Sequence, residues 1–145
     1  MEIVNRQASH NHFILDTYEA GMVLKGTEIK SIRNGKCNIK DSYAIIKDNE
    51  VYLLNTHIAP YEQGNVFNHE ETRTRKLLLH KKEILKLSNK VLLEGHTLIP
   101  LKIYFKNSKA KVLLGVCKGK KTYDKKESLK EKDIQREMAK DIKFR

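Results

Sequence analysis

Residues 97–105 (TLIPLKIYF), with the turn Lys106-Asn107-Ser108-Lys109 and the apolar run 112–117 behind them, constrain the fold of this chain more than any other feature. Ile99, Leu101, Ile103 and Phe105 recur at the two-residue period of a strand that turns one face to a core. Four polar residues then reverse the chain into a second apolar run, the pattern of a hairpin. Pro100 offers a ladder no N–H donor, so its strand is expected at a sheet edge or at a bulge. The same grammar recurs upstream. Residues 42–46 and 51–54 flank Lys47-Asp48-Asn49-Glu50, whose Asp-Asn pair accepts turn geometry. Residues 12–18 and 22–24 read as strand segments broken at Glu19-Ala20-Gly21, where the glycine predicts a bend or bulge.

Helices are fewer. Residues 27–33 fit a short helix with Thr27 as N-cap and Gly35 just past its end. They fit a strand equally, because Ile29 and Ile32 alone do not set a period. Between Asn68 and Gly95 the helical pattern is stronger. Asn68 with Glu71 resembles a capping box, and Leu77/Leu78, Ile84/Leu85 and Val91/Leu92 recur every seven residues. A break near His80 would split this stretch into two helices. Short strands in consecutive hairpins with one or two inserted helices predict a mainly β fold over residues 1–117. The expected architecture is an OB-like antiparallel β-barrel with a few added helices, a frequent platform for oligonucleotides, though architecture alone does not assign function.

Residues 118–145 differ in kind. They hold 11 basic and 6 acidic residues and few apolar ones. Ile134, Met138 and Ile142 share a helical stripe, and Asp133/Arg136, Glu137/Lys140 and Asp141/Arg145 are spaced for ion pairs worth only about 0.2–0.5 kcal/mol each. Such a helix is marginal in water, so the expectation is a basic C-terminal tail that is disordered when free and helical on a partner. The formal net charge of the chain is +11. Residues 100–145 carry 15 basic and 6 acidic groups, whereas residues 1–99 are nearly balanced at 14 and 12. That asymmetry favours a polyanionic partner, which counterion release would reward.

The residues of catalysis are missing. His10-Asn11-His12 and His69-Glu70 lack a third ligand at metal-site spacing, and His57, His80 and His96 are scattered, so no metal is expected. Gly115 and Gly119 before Lys120-Lys121 do not have P-loop spacing, and no nucleophile elbow or close pair of carboxylates occurs. Cys37 and Cys117 have no neighbouring cysteine and read as two reduced thiols of a cytoplasmic protein. No apolar run reaches membrane-spanning length, and no secretory leader is expected in the first residues. The expectation is a protein that is not an enzyme and takes no cofactor.

The basic clusters point to nucleic acid. Lys30, Arg33 and Lys36 would share one face of a helix. Arg73, Arg75 and Lys76 would oppose the dipole at the start of the predicted helix, which an RNA backbone would explain and pairing with Glu70 and Glu71 would explain also. Lys118, Lys120 and Lys121 form a like-charge run without an adjacent acid. Tyr18, Tyr43, Tyr61 and Tyr104 are core or stacking candidates, whereas Tyr123 lies in the polar tail with no core in reach.

Taken in order, these residues carry a family resemblance. Tyr18-Glu19-Ala20-Gly21, then Gly26-Thr27-Glu28-Ile29-Lys30-Ser31-Ile32-Arg33 and Gly35-Lys36, resemble the tmRNA-binding protein family (small protein B). So do Asp41-Ser42-Tyr43-Ala44, His57-Ile58-Ala59-Pro60-Tyr61, Asn68-His69-Glu70, the run Thr72-Arg73-Thr74-Arg75-Lys76-Leu77-Leu78-Leu79-His80, and Lys118-Gly119-Lys120-Lys121-Thr122-Tyr123-Asp124-Lys125-Lys126. Lys126 departs from the family's usual arginine, keeping the charge and losing the planar two-pronged donor. The resemblance implies an OB-like barrel that grips the transfer-RNA-like part of tmRNA. It also implies delivery of that RNA, charged with alanine and accompanied by elongation factor Tu, to stalled ribosomes. Glu19, Leu78 and Lys111 would belong to the tmRNA-binding surface. Glu19 would accept hydrogen bonds from bases or 2′-hydroxyls, or orient a basic neighbour; Leu78 would contact RNA or serve the core. Tyr123, Asp124, Lys125 and Lys126, with the tail that includes Ile134 and Met138, would engage the decoding centre and the empty messenger channel.

Overall fold

The computed structural model describes residues 2–61 and 68–119. The expectations for Lys120, Lys121, Tyr123, Asp124, Lys125, Lys126, Ile134 and Met138, and for a conditionally helical tail, lie outside the described residues. Among the described residues nine strands and three helices follow in the order β1 (Glu2–Val4), α1 (Ala8–Asn11), β2 (His12–Met22), α2 (Gly26–Arg33), β3 (Cys37–Asn38), β4 (Tyr43–Lys47), β5 (Glu50–Leu54), β6 (His57–Ile58), β7 (Arg75–Leu78), α3 (Lys81–Leu92), β8 (Thr97–Lys106) and β9 (Lys109–Gly119). Strands β8, β4, β5, β7, β2 and β9 pair in that order, and β9 returns to β8, so the six close into an antiparallel ring. The fold is the expected mainly β, OB-like barrel. Closure removes the sheet edges that would otherwise invite aggregation. Strand β1 lies alongside β8, and β3 pairs with β6 as a small separate ribbon.

Both predicted hairpins form. Asp48 and Asn49 turn β4 into β5 with φ of 53° and 62°, and Asn107 and Ser108 turn β8 into β9 with 53° and 66°. Two successive positive φ values give the turn whose twist matches that of paired strands. Pro100 sits at a bulge of a strand paired on both sides, the register to β9 slipping between Pro100 and Lys102. The slip has a consequence that simple alternation misses. Leu98 and Ile103 point into the main core, with Phe105 packed against it, whereas Ile99 and Leu101 form a second cluster with Ala8 and Cys117. Gly115 accommodates that cluster, because a Cβ there would come within 3.0 Å of the Leu101 side chain. The main core is built from strand residues such as Val51, Leu53, Leu77, Val112, Leu114 and Val116, all fully buried, joined by Ile32 of α2 and Leu87 of α3.

Three expectations need correction. Strand β2 runs unbroken through Glu19-Ala20-Gly21, and its irregularity lies between Ile14 and Asp16. Thr27 does not cap α2: Lys25 precedes the helix, the Glu28 carboxylate accepts the Lys25 backbone N–H at 2.7 Å, and the Thr27 hydroxyl meets His69 Nδ1 at 2.8 Å. The helix does end just before Gly35, whose φ of 74° fits the left-handed stop. The helix expected between Asn68 and Gly95 is half strand. Residues 75–78 pair with β5 and β2, and only Lys81–Leu92 is helical, with Glu83 reaching back to the His80 N–H. Asn68 clasps the Tyr61 backbone instead of capping a helix. The seven-residue recurrence was therefore strand on one side of His80 and helix on the other.

Candidate nucleic-acid interface

Strand register assembles the surface. On the outer face of the barrel, Leu78 of β7 lies opposite Gly21 of β2, Gly21 opposite Lys111 of β9, Lys111 opposite Tyr104 of β8, and Tyr104 opposite Glu2 of β1. In the neighbouring outward row, Glu19 faces Leu113 and Leu113 faces Lys102. Because side chains alternate across a strand, these residues share one face, while Ala20, Val112 and Ile103 between them point inward. Gly21 contributes no side chain to its row and so leaves a trough between Leu78 and Lys111. A Cβ there would lie 3.5 Å from Leu78 and 3.9 Å from Lys111 Nζ. Glu19, Gly21, Leu78 and Lys111 line one cleft of about 680 Å³, to which Ile29 of α2, His80 and Glu83 also contribute.

Leu78 is 53% exposed, whereas its neighbour Leu77 is fully buried. The strand settles what a helical stripe left open: Leu77 serves the core and Leu78 faces outward. Glu19 is held by two partners on β8. The Tyr104 hydroxyl donates to Oε2, and Lys106 Nζ lies 3.6 Å from Oε1. The hydrogen bond from Tyr104 is the largest influence on the Glu19 carboxyl and holds it below the usual carboxylate range. Slight desolvation opposes that shift, and Lys106 and Lys111 reinforce it. Burial together with the Glu19 carboxylate pushes the Tyr104 phenol up to about 12. The cleft thus presents an ionised acceptor, an apolar platform and an ammonium group side by side. Such a trio suits bases, sugars and phosphates together. Sequence reasoning treated Tyr104 as a core or stacking residue. Its link to Glu19 crosses an intervening strand and leaves no local signal.

The other basic candidates divide. Arg75 is fully buried. It donates to Glu28 Oε2 at 2.8 Å and to the Thr56 carbonyl at 2.6 Å, with the Glu70 and Glu71 carbonyls at 3.3 and 3.2 Å. It belongs to the interior and presents nothing to RNA. Arg73 grips the same carboxylate from the rim, through Nη2 at 2.6 Å and Nε at 3.1 Å. Lys76 lies 3.5 Å from Glu50. These three sit on a loop and a strand, so no helix dipole opposes them, and their charges have structural partners other than the side chains of Glu70 and Glu71. Lys30, Arg33 and Lys36 are exposed, but only Lys30 and Arg33 lie in the last turn of α2; Lys36 falls beyond the helix, past Gly35, so the three do not share one helical face. Lys30 lies 5.4 Å over the Tyr61 ring and Arg33 4.8 Å over Phe105. None of them lines the cleft. Lys118 is exposed at the end of β9, opposite Phe13.

Two of the histidines are engaged by the fold. His69 Nε2 donates to the Ile58 carbonyl at 2.8 Å, which leaves Nδ1 to meet the Thr27 hydroxyl, and His57 pairs with Glu71 at 2.8 Å. Among the described residues no group of three or more His, Cys, Asp or Glu could hold a metal ion. Nor is any described helix long and apolar enough to cross a membrane.

Comparison with known proteins gives a consistent result. The family described as SmpB protein matches residues 2–144. SsrA-binding proteins of Staphylococcus aureus, strains Newman and NCTC 8325 among them, are 58% identical over 141 residues, covering 97% of this chain and 92% of theirs. A chain in the solved structure "tmRNA-SmpB: a journey to the center of the bacterial ribosome" superposes with a TM-score of 0.72 at 51% identity, covering 89% of this chain and 94% of that one.

Proposed function

This chain belongs to the SmpB protein family, and from that premise we propose that it is a cytoplasmic, non-enzymatic RNA-binding adaptor of trans-translation. It binds the transfer-RNA-like domain of tmRNA and, with elongation factor Tu, brings alanyl-tmRNA to the A site of stalled ribosomes. Residues after the barrel engage the decoding centre and the empty messenger channel, with Tyr123, Asp124, Lys125 and Lys126 at the start of that segment.

The observation that carries the reading is the convergence of Glu19, Leu78 and Lys111, 92 residues apart in sequence at the extremes, on one outward trough. Each supplies a different part of RNA recognition. Lys111 neutralises phosphate, Leu78 covers the apolar face of a sugar or base, and the Glu19 carboxylate accepts from an exocyclic amine or a 2′-hydroxyl, which phosphate attraction alone would not select. Lys109 lines the same cleft and adds a second ammonium group beside Lys111. Arg75 has no place in this interface.

The test compares the full chain with one ending at Gly119, where β9 stops. Binding to tmRNA and to an ordinary transfer RNA is measured across a salt series, and alanine addition is measured on a stalled ribosome. Both chains are expected to prefer tmRNA, and only the full chain to support alanine addition. If neither distinguishes tmRNA from other RNA at physiological salt, the reading fails and a general ribosomal RNA-binding protein takes its place.

A further inference from the structure

A carboxylate set among lysines has a default fate, which is to fold onto the nearest ammonium group and neutralise it. Lys111 is close enough to Glu19 to lower its carboxyl pKa, so that collapse is available. In the structure it does not occur. Both Glu19 oxygens are instead held from β8, on the far side of the strand that carries Lys111: Oε2 by the Tyr104 hydroxyl and Oε1 by Lys106. Lys111, by contrast, has no carboxylate within ion-pair distance among the described residues.

The geometry points to Tyr104 as a positioning residue of the RNA interface: its hydroxyl, together with Lys106, ties Glu19 to β8, holding the carboxylate ready to accept from RNA and leaving Lys111 free for phosphate. The inference rests on the function proposed above and adds a residue to it. Tyr104 is well placed for the task. Its ring is directly opposite Lys111 in the β8–β9 ladder and opposite Glu2 in the β1–β8 ladder, and Lys102 Nζ lies 5.4 Å from its centroid. The ring is therefore fixed by neighbours that do not depend on Glu19. A phenol donating to an ionised carboxylate also makes a stronger bond than two neutral groups would. With phenylalanine at this position the ring and its packing stay, and only the anchor goes.

The experiment uses the full chain with Tyr104→Phe, Glu19→Ala and the double variant. Three quantities are read: affinity for tmRNA, thermal midpoint, and the Glu19 carboxyl pKa of the free protein by carbon-detected NMR titration. Tyr104→Phe is expected to weaken tmRNA binding about fivefold, as loss of a charge-assisted hydrogen bond in a wet interface would. In the Glu19→Ala background the same change is expected to do nothing further, because a positioning residue has nothing left to position. The thermal midpoint should stay where it is, and the Glu19 pKa should rise toward the ordinary carboxylate value. A Tyr104→Phe loss that persists without Glu19, or a Glu19 pKa that does not move, overturns the inference. A wild-type chain without preference for tmRNA overturns the proposed function instead, and the titration still decides whether Tyr104 anchors Glu19.

Discussion

Glu28→Gln changes one heavy atom of the chain, and the structure says it should be among the most damaging single substitutions. The Glu28 side chain is fully buried, and its carboxylate accepts four hydrogen bonds: from the Lys25 N–H at 2.7 Å, Arg73 Nη2 at 2.6 Å, Arg73 Nε at 3.1 Å and Arg75 Nε at 2.8 Å. Arg75 is fully buried too, so its charge has no water to fall back on. A glutamine amide keeps the shape, removes the charge and turns an N–H₂ toward guanidinium donors. Removing one partner of a buried pair costs about 3–5 kcal/mol because the remaining charge is uncompensated. A domain of this size has only about 5–15 kcal/mol in all. At roughly 3 °C per kcal/mol the midpoint should fall by about 9–15 °C. Urea and thermal unfolding followed by circular dichroism would measure both numbers. A loss under about 1 kcal/mol with an unchanged urea slope would refute the reasoning. It would mean that the buried cluster is solvated or rearranges at little cost.

The same cluster sets an acid limit. Burial on its own would raise the Glu28 carboxyl pKa, but the hydrogen bonds from Arg73 and the Lys25 backbone, with the Arg75 charge, outweigh it and leave it below its ordinary 4.5. A carboxyl depressed in the folded state stabilises fully above the unfolded value and loses that contribution as pH falls through the folded value, so wild-type stability should drop below pH 4.5 and the Glu28→Gln variant should lack that component. Leu77→Ala and Leu78→Ala should separate stability from binding. The first should cost about 2–5 kcal/mol in unfolding, while the second should leave unfolding nearly unchanged and weaken tmRNA binding in a filter or anisotropy assay. The thiols of Cys37 and Cys117 are pushed by desolvation up to about 12 and about 11; the fully buried Cys117 should resist iodoacetamide at neutral pH until the chain unfolds, and its rapid labelling in the native protein would contradict that burial.

How much of this was legible in the sequence depends on the range of the interaction. The turns at Asp48-Asn49 and Asn107-Ser108 were readable because a hairpin is specified by the residues that make it. The bulge at Pro100 was readable because proline removes a donor wherever it sits. Charge and composition favoured a polyanion, and the ordered motifs gave the family. The strand at Arg75–Leu78 was not readable. Its pairing with β5 and β2 is made by residues more than twenty positions away, and two leucines before a true helix extend a helical period by accident. The partner that Arg73 and Arg75 share was hidden for a related reason. Charge is a property of a residue, whereas burial is a property of its surroundings, and the carboxylate that takes both guanidinium groups stands 45 and 47 positions upstream. The trough is the clearest case. Glu19, Leu78 and Lys111 came from resemblance, but only the register of β7, β2, β9 and β8 puts them on one face and brings Tyr104 to Glu19. Strand neighbours are fixed by closing the barrel, which is a property of the whole chain, and a change of register by one residue would have turned each of these side chains into the core.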